Sequence, residues 1–113
     1  MKLMTQTERS RYTTTMIATF ATCIVDDIGR AFKVVPWFEG DVFTYDLITL
    51  GTRCVFVTEE MRNYLSNKKS RELMFERVTR SLKLRGWDLE YSSRGGQKPI
   101  SWQFRITPED SGK

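Results

Sequence analysis

Ile17, Phe20, Ala21, Ile24, Ile28, Ala31, Phe32 and Val35 recur at steps of three and four residues, the spacing that lines one face of an α-helix. Thr5 and Glu8 stand where a capping box would start it, so one long helix is predicted, ending before Pro36. The Thr and Ile/Val content of the same stretch also fits a hairpin turning at Asp26–Gly29. After the break at Gly40 and Asp41, Phe43, Leu47, Ile48 and Leu50 predict a short amphipathic helix that stops at Gly51. Cys54, Val55, Phe56 and Val57 form a short apolar run suited to a buried strand.

Thr58 is a candidate N-cap for a helix with Met61, Tyr64 and Leu65 on one face and Glu59 and Glu60 at its positive end. After the break at Asn67–Ser70, Ser70 is expected to cap a helix over 71–85 whose buried stripe is Phe75, Val78 and Leu82, with Gly86 as its stop. Leu73 and Leu84 fall near the polar side of that helix. Either a second contact covers them or the phase is slightly shifted. The pattern then changes to strict alternation: Trp87, Leu89 and Tyr91 with Asp88 and Glu90, and Ile100, Trp102, Phe104 and Ile106 with Ser101, Gln103 and Arg105. Two half-buried antiparallel strands follow, joined by an eight-residue loop over 92–99, with the acids of one and Arg105 of the other on the solvent face. The elements predict an α+β fold: one small domain over 1–113, its helices packed on a C-terminal hairpin, with frayed ends near 1–6 and 108–113.

Composition supports a packed core. Of 113 residues, 40% are hydrophobic and 28% charged, and seven Phe, four Tyr and three Trp exclude wholesale disorder. The longest apolar stretch, near 16–25, is short of the roughly 20 residues that span a bilayer. The first fifteen residues lack the apolar core of a signal peptide, so a cytoplasmic location without membrane contact is expected. Cys23 and Cys54 then read as two reduced thiols. There is no histidine, which removes Ser-His-Asp and Cys-His catalysis and, with two distant cysteines, the ordinary structural zinc site. No catalytic residue, metal or cofactor is expected. A metal-dependent nuclease drawing on Asp26, Asp27, Asp41, Asp46, Asp88 or Glu90 is a minor reading, because no spacing ties these carboxylates together.

Charge divides the chain. Five acids against Arg30 and Lys33 make residues 26–46 net −3, whereas ten bases against four acids make residues 62–98 net +6. A cluster of Lys and Arg on one module suits a polyanion, because each neutralised phosphate releases condensed counterions. It equally suits a solvated helix face with no partner. The nucleic-acid candidates are Lys68 and Lys69 as backbone clamps before the helix, Arg77, Arg80 and Lys83 along it, and Arg94, Gly95, Gly96 and Lys98 in the loop. Trp87, Tyr91, Trp102 and Phe104 share one strand face, either packed on helices or able to stack unpaired bases.

The segments "VFTYDL", "ERVTRSLKLRGW" and "SSRGGQKP", over about Asp41 to Thr107, occur in an order that resembles the winged helix-turn-helix superfamily. That resemblance implies a helix entering the major groove and a wing loop touching the adjacent backbone. Glu72 and Glu76 on the outward face of helix 71–85 are a departure from it. It makes a small nucleic-acid-binding protein, a transcriptional or replication regulator of a mobile element, the first expectation, with DNA or RNA as partner and a homodimer allowed. The alternative is a non-catalytic interaction or inhibitor module that docks a host protein through Trp37, Phe38, Phe43 and Tyr45.

Overall fold

The computed structural model describes residues 3–48, 57–94 and 101–109. Helix α1 runs over Gln6–Val34, settling the first segment as a helix and not a hairpin. Its capping box is formed: the Thr5 hydroxyl accepts the Glu8 N–H at 3.1 Å and the Glu8 carboxylate accepts the Thr5 N–H at 3.3 Å. The threonines that argued for a strand are accommodated, because Thr14, Thr19 and Thr22 each donate their hydroxyl to the carbonyl four residues back. At 29 residues the helix is about 43 Å long, and its buried residues begin only at Ile17. The N-terminal turns project from the core. Tyr12 ties them to the second helix by donating to Glu60, and that bond is the chief cause of a phenol pKa above the ordinary tyrosine value.

The segment read as a second helix is a strand, β1 (Phe43–Ile48). Its burial alternates, with Phe43, Tyr45 and Leu47 inside and Thr44 and Asp46 exposed. Period two then wins over the helical spacing of Phe43, Leu47 and Ile48, because an antiparallel partner satisfies the strand's backbone groups. Gly51 and the apolar run at 54–56 lie outside the described residues, while Val57 is buried in the core.

Helix α2 covers Glu59–Ser66, capped by Thr58, whose hydroxyl accepts the Met61 N–H at 3.2 Å. Helix α3 begins three residues earlier than expected and spans Lys68–Lys83. Its cap is Asn67, not Ser70: the Asn67 side-chain oxygen accepts the Ser70 N–H at 3.1 Å. Ser70 is buried in the first turn, and its hydroxyl donates to the carbonyls of Tyr64 and Asn67. Asn67 alone separates the two helices, ending one and starting the other. Asn67→Ala is expected to lower stability by about 0.5–2 kcal/mol, read as a reduced midpoint in chemical denaturation with an unchanged slope.

The hairpin forms as predicted, as β2 (Trp87–Arg94) and β3 (Ser101–Pro108), although Ser92, Ser93 and Arg94 continue β2 where a loop was expected. β3 is the centre of a three-stranded antiparallel sheet in the order β1-β3-β2. Leu89 pairs with Ile106, Glu90 with Arg105 and Leu47 with Trp102. Gly86 makes the turn from α3 into β2 with φ of +83°, a conformation that suits glycine, and its carbonyl accepts the Glu109 N–H at 2.8 Å.

Alternation along each strand sends Phe43, Tyr45, Leu47, Leu89, Trp102, Phe104 and Ile106 into the core beneath the helices. Thr44, Asp46, Glu90, Gln103 and Arg105 occupy the opposite face. Phe75 of α3 lies at the centre, fully buried, with its ring edge-on to Tyr91, Trp102 and Phe104 at centroid distances of 4.8, 5.4 and 4.9 Å. No helix among the described residues is long and apolar enough to cross a membrane.

Candidate nucleic-acid interface

The packing of α3 divides its surface into stripes. Ser70, Met74, Phe75, Val78 and Leu82 are buried, which corrects the phase: Met74 belongs to the stripe, and Leu73 and Leu84 lie in solvent at 41% and 85% exposure. Lys68, Glu72, Thr79 and Lys83 share the flank next to β2, while Lys69, Leu73, Glu76 and Arg80 share the outermost row. Each row carries a base at both ends and an acid between them. Lys68 and Lys69 sit in the first turn of α3, not before it.

Few of these charges neutralise one another. Arg80 is held by Glu76 at 2.6 Å, a pair one helical turn apart and exposed on both sides, so its contribution to stability is small. Among the described residues, Lys68, Lys69, Arg77 and Lys83 have no acid partner. Arg77 and Arg80 line a shallow groove between α3 and α1, with Ser81 and Leu84 on one wall and Ala18, Ala21 and Thr22 on the other.

Arg94 terminates β2 on the outer face of the sheet, where its guanidinium donates to the Gln103 side chain at 3.1 Å. The even-numbered residues of β2 point away from α3 and the odd-numbered ones towards it. Arg94 therefore lies near the N-terminal end of α3 along the chain's path, but on the other side of the ribbon. Gly95, Gly96 and Lys98 lie outside the described residues.

Sequence reasoning passed over Arg71. Its guanidinium sits 4.6 Å from the centre of the Trp102 ring and donates to the Leu65 carbonyl at 3.0 Å, joining the end of α2, the start of α3 and β3. A basic residue in the first turn of a basic helix gives no sign that it faces an aromatic 31 positions away. Only the docking of the hairpin on α3 reveals it.

The aromatic face of the hairpin is packed, not open. Tyr91 keeps 43% exposure, but its ring lies edge-on to Phe75, Trp102 and Phe104. Of the four residues considered for protein docking, Phe43 and Tyr45 are buried, and Trp37 packs edge-on to Trp87 while donating its indole N–H to the Asp41 carbonyl at 2.8 Å. Phe38 alone is on the surface, at 72% exposure.

The carboxylates considered for a metal do not converge. Asp27 accepts the Tyr45 hydroxyl at 2.5 Å and also accepts from the Arg30 guanidinium, and this Arg30–Asp27 hydrogen bond is the chief cause of a raised Arg30 pKa. No group of three or more metal-ligating side chains occurs among the described residues. Neither protein families, nor characterised proteins, nor solved structures provide a match to this chain.

Proposed function

We propose that this protein binds duplex nucleic acid by gripping its phosphate backbone, with little readout of base sequence. The observation that carries the reading is the charge layout of α3. Lys68, Lys69 and Lys83 are exposed and unpaired at its ends, whereas Glu72 on the β2 flank and Glu76 on the outermost row lie between them. Acids at the centre of a helix repel phosphates if that helix is driven deep into a groove, while bases at its ends meet phosphates at the rim. The two ends, Lys68 and Lys83, are about 22 Å apart along the axis.

The winged helix-turn-helix resemblance is supported by the order helix, strand, helix, helix, strand, strand and by the passage from α3 through Gly86 into the hairpin. The turn between α2 and α3 is the single residue Asn67, shorter than the roughly 3–4-residue turn of helix-turn-helix motifs. Duplex is favoured over single strands because the aromatic rings that could stack unpaired bases pack inside the protein, Tyr91, Trp102 and Phe104 on Phe75 and Trp87 on Phe32 and Trp37.

Fluorescence anisotropy with duplex DNA, duplex RNA and single strands of mixed sequence tests the reading. Duplexes are expected to bind at low salt with little dependence on sequence. Replacing Lys68 and Lys69 by Ala is expected to weaken every duplex alike and to reduce the salt slope by about 2. Absence of any complex at low salt, or a clear preference for single strands, would overturn the proposal.

A further inference from the structure

We infer that the protein associates with a second copy of itself, the exposed Phe38 patch of one copy seating in the α1–α3 groove of the other. Two surface features that the fold leaves uncovered carry this. The first is at the C-terminal end of α1, where Val34, Val35, Phe38 and Val42 are all exposed. The chain reverses here, the Asp41 N–H donating to the Phe38 carbonyl at 3.0 Å and the Asp41 carboxylate accepting the Phe38 N–H at 3.1 Å. The turn thus holds an exposed phenyl ring just before Glu39 and Asp41, both in solvent.

The second feature is the groove. Its floor on α1 is made of small side chains, Ala18, Ala21 and Thr22, which leave room for a bulky one. Its α3 wall is Leu84, after Leu3 the most exposed leucine among the described residues, with Arg77 and Arg80 at the rim. Arg77 has no acid partner among the described residues.

Each feature supplies what the other lacks. Beside the apolar patch stand two acids, Glu39 and Asp41; the groove combines Ala18, Ala21 and Leu84 with Thr22, Ser81 and the unpaired guanidinium of Arg77, Arg80 being held by Glu76. An isolated exposed Leu or Phe needs no explanation, but an apolar patch beside two acids and a groove that offers small side chains, Leu84 and a free guanidinium are complementary. A patch-on-patch dimer would set Glu39 and Asp41 against their own copies, and a groove-on-groove dimer would do the same with Arg77. Like-charge contact disfavours both. The contact is therefore between unlike surfaces, which either closes a small ring or extends as a chain. It uses none of Lys68, Lys69, Lys83 or Arg94, so it stands or falls apart from the nucleic-acid reading.

The test is sedimentation velocity on nuclease-treated protein over a concentration series, with Phe38→Asp and Arg77→Glu made separately. Both positions are on the surface, and far-UV circular dichroism checks that each variant folds. The wild-type chain is expected to gain mass with concentration, and each variant alone to stay monomeric. Mixed in equal amounts the variants should associate as a heterodimer, because Arg77→Glu retains an intact patch and Phe38→Asp an intact groove. Leu84→Ser provides a second groove variant that should behave as Arg77→Glu does. A wild-type chain that is monomeric throughout, a mass increase that vanishes with nuclease, or variants that fail to associate when mixed would each overturn the inference.

Discussion

Raising monovalent salt from about 50 to 200 mM is expected to weaken duplex binding by about 10²-fold if the protein neutralises about four phosphates. The physical cause is release of condensed counterions. Each Lys or Arg that displaces one contributes about 0.9 to the slope of log affinity against log salt. Four exposed bases are available to this reading: Lys68, Lys69 and Lys83 at the ends of α3, and Arg94 at the end of β2. Arg94 tests the geometry most sharply, because it lies on the sheet's outer face and already donates to Gln103. If the duplex reaches round the hairpin, Arg94→Ala flattens the slope by about 1. A slope near zero with the full chain would remove the electrostatic basis of the proposal.

Phe75→Ala is expected to cost about 3–5 kcal/mol, a large part of the roughly 5–15 kcal/mol by which a domain of this kind is stable. Phe75 is fully buried and meets Tyr91, Trp102 and Phe104 edge-on, so truncation removes transfer free energy, leaves a cavity and deletes three aromatic contacts. It also removes the ring that seats α3 on the hairpin. Urea denaturation should show a much lower midpoint, and hydrogen exchange should rise in β2 before α1. A loss of under about 1 kcal/mol would mean that the hairpin is held by something other than this ring.

How much of this fold was legible depends on whether the information was local. The capping box at Thr5 and Glu8, the Thr58 cap, the Gly86 stop and the alternation in β2 and β3 all depend on residues within a few positions of one another, and all form. Phe43–Ile48 reads as a helix in sequence because Phe43, Leu47 and Ile48 also satisfy a helical period over so short a run. The partner that decides between the periods, β3, lies more than 50 residues away in sequence. Ser70 is a good capping residue by type, but Asn67 provides the cap and Ser70's hydroxyl is used on the carbonyls of Tyr64 and Asn67.

The candidate site divides in the same way. That bases gather after residue 62 was visible in composition, since charge can be counted without knowing where the chain goes. How they are distributed was not. Lys68, Arg77 and Arg94 are equivalent as letters, yet the fold places them on the β2 flank of α3, in the groove against α1 and on the outer face of the sheet. Arg71 is turned onto Trp102 by the same packing.

The sequence by itself determined an α+β domain with a long capped helix, a basic helix leading into a hairpin, and a surplus of positive charge in its second half. Only the tertiary structure decided that the segment after Gly40 is a strand, that the aromatic face of the hairpin is closed by Phe75, and which charged and apolar groups remain open to solvent. Periodicity and caps act over one or two turns of chain. Strand pairing, side-chain burial and the exposure of Phe38 and Leu84 depend on which distant surfaces meet.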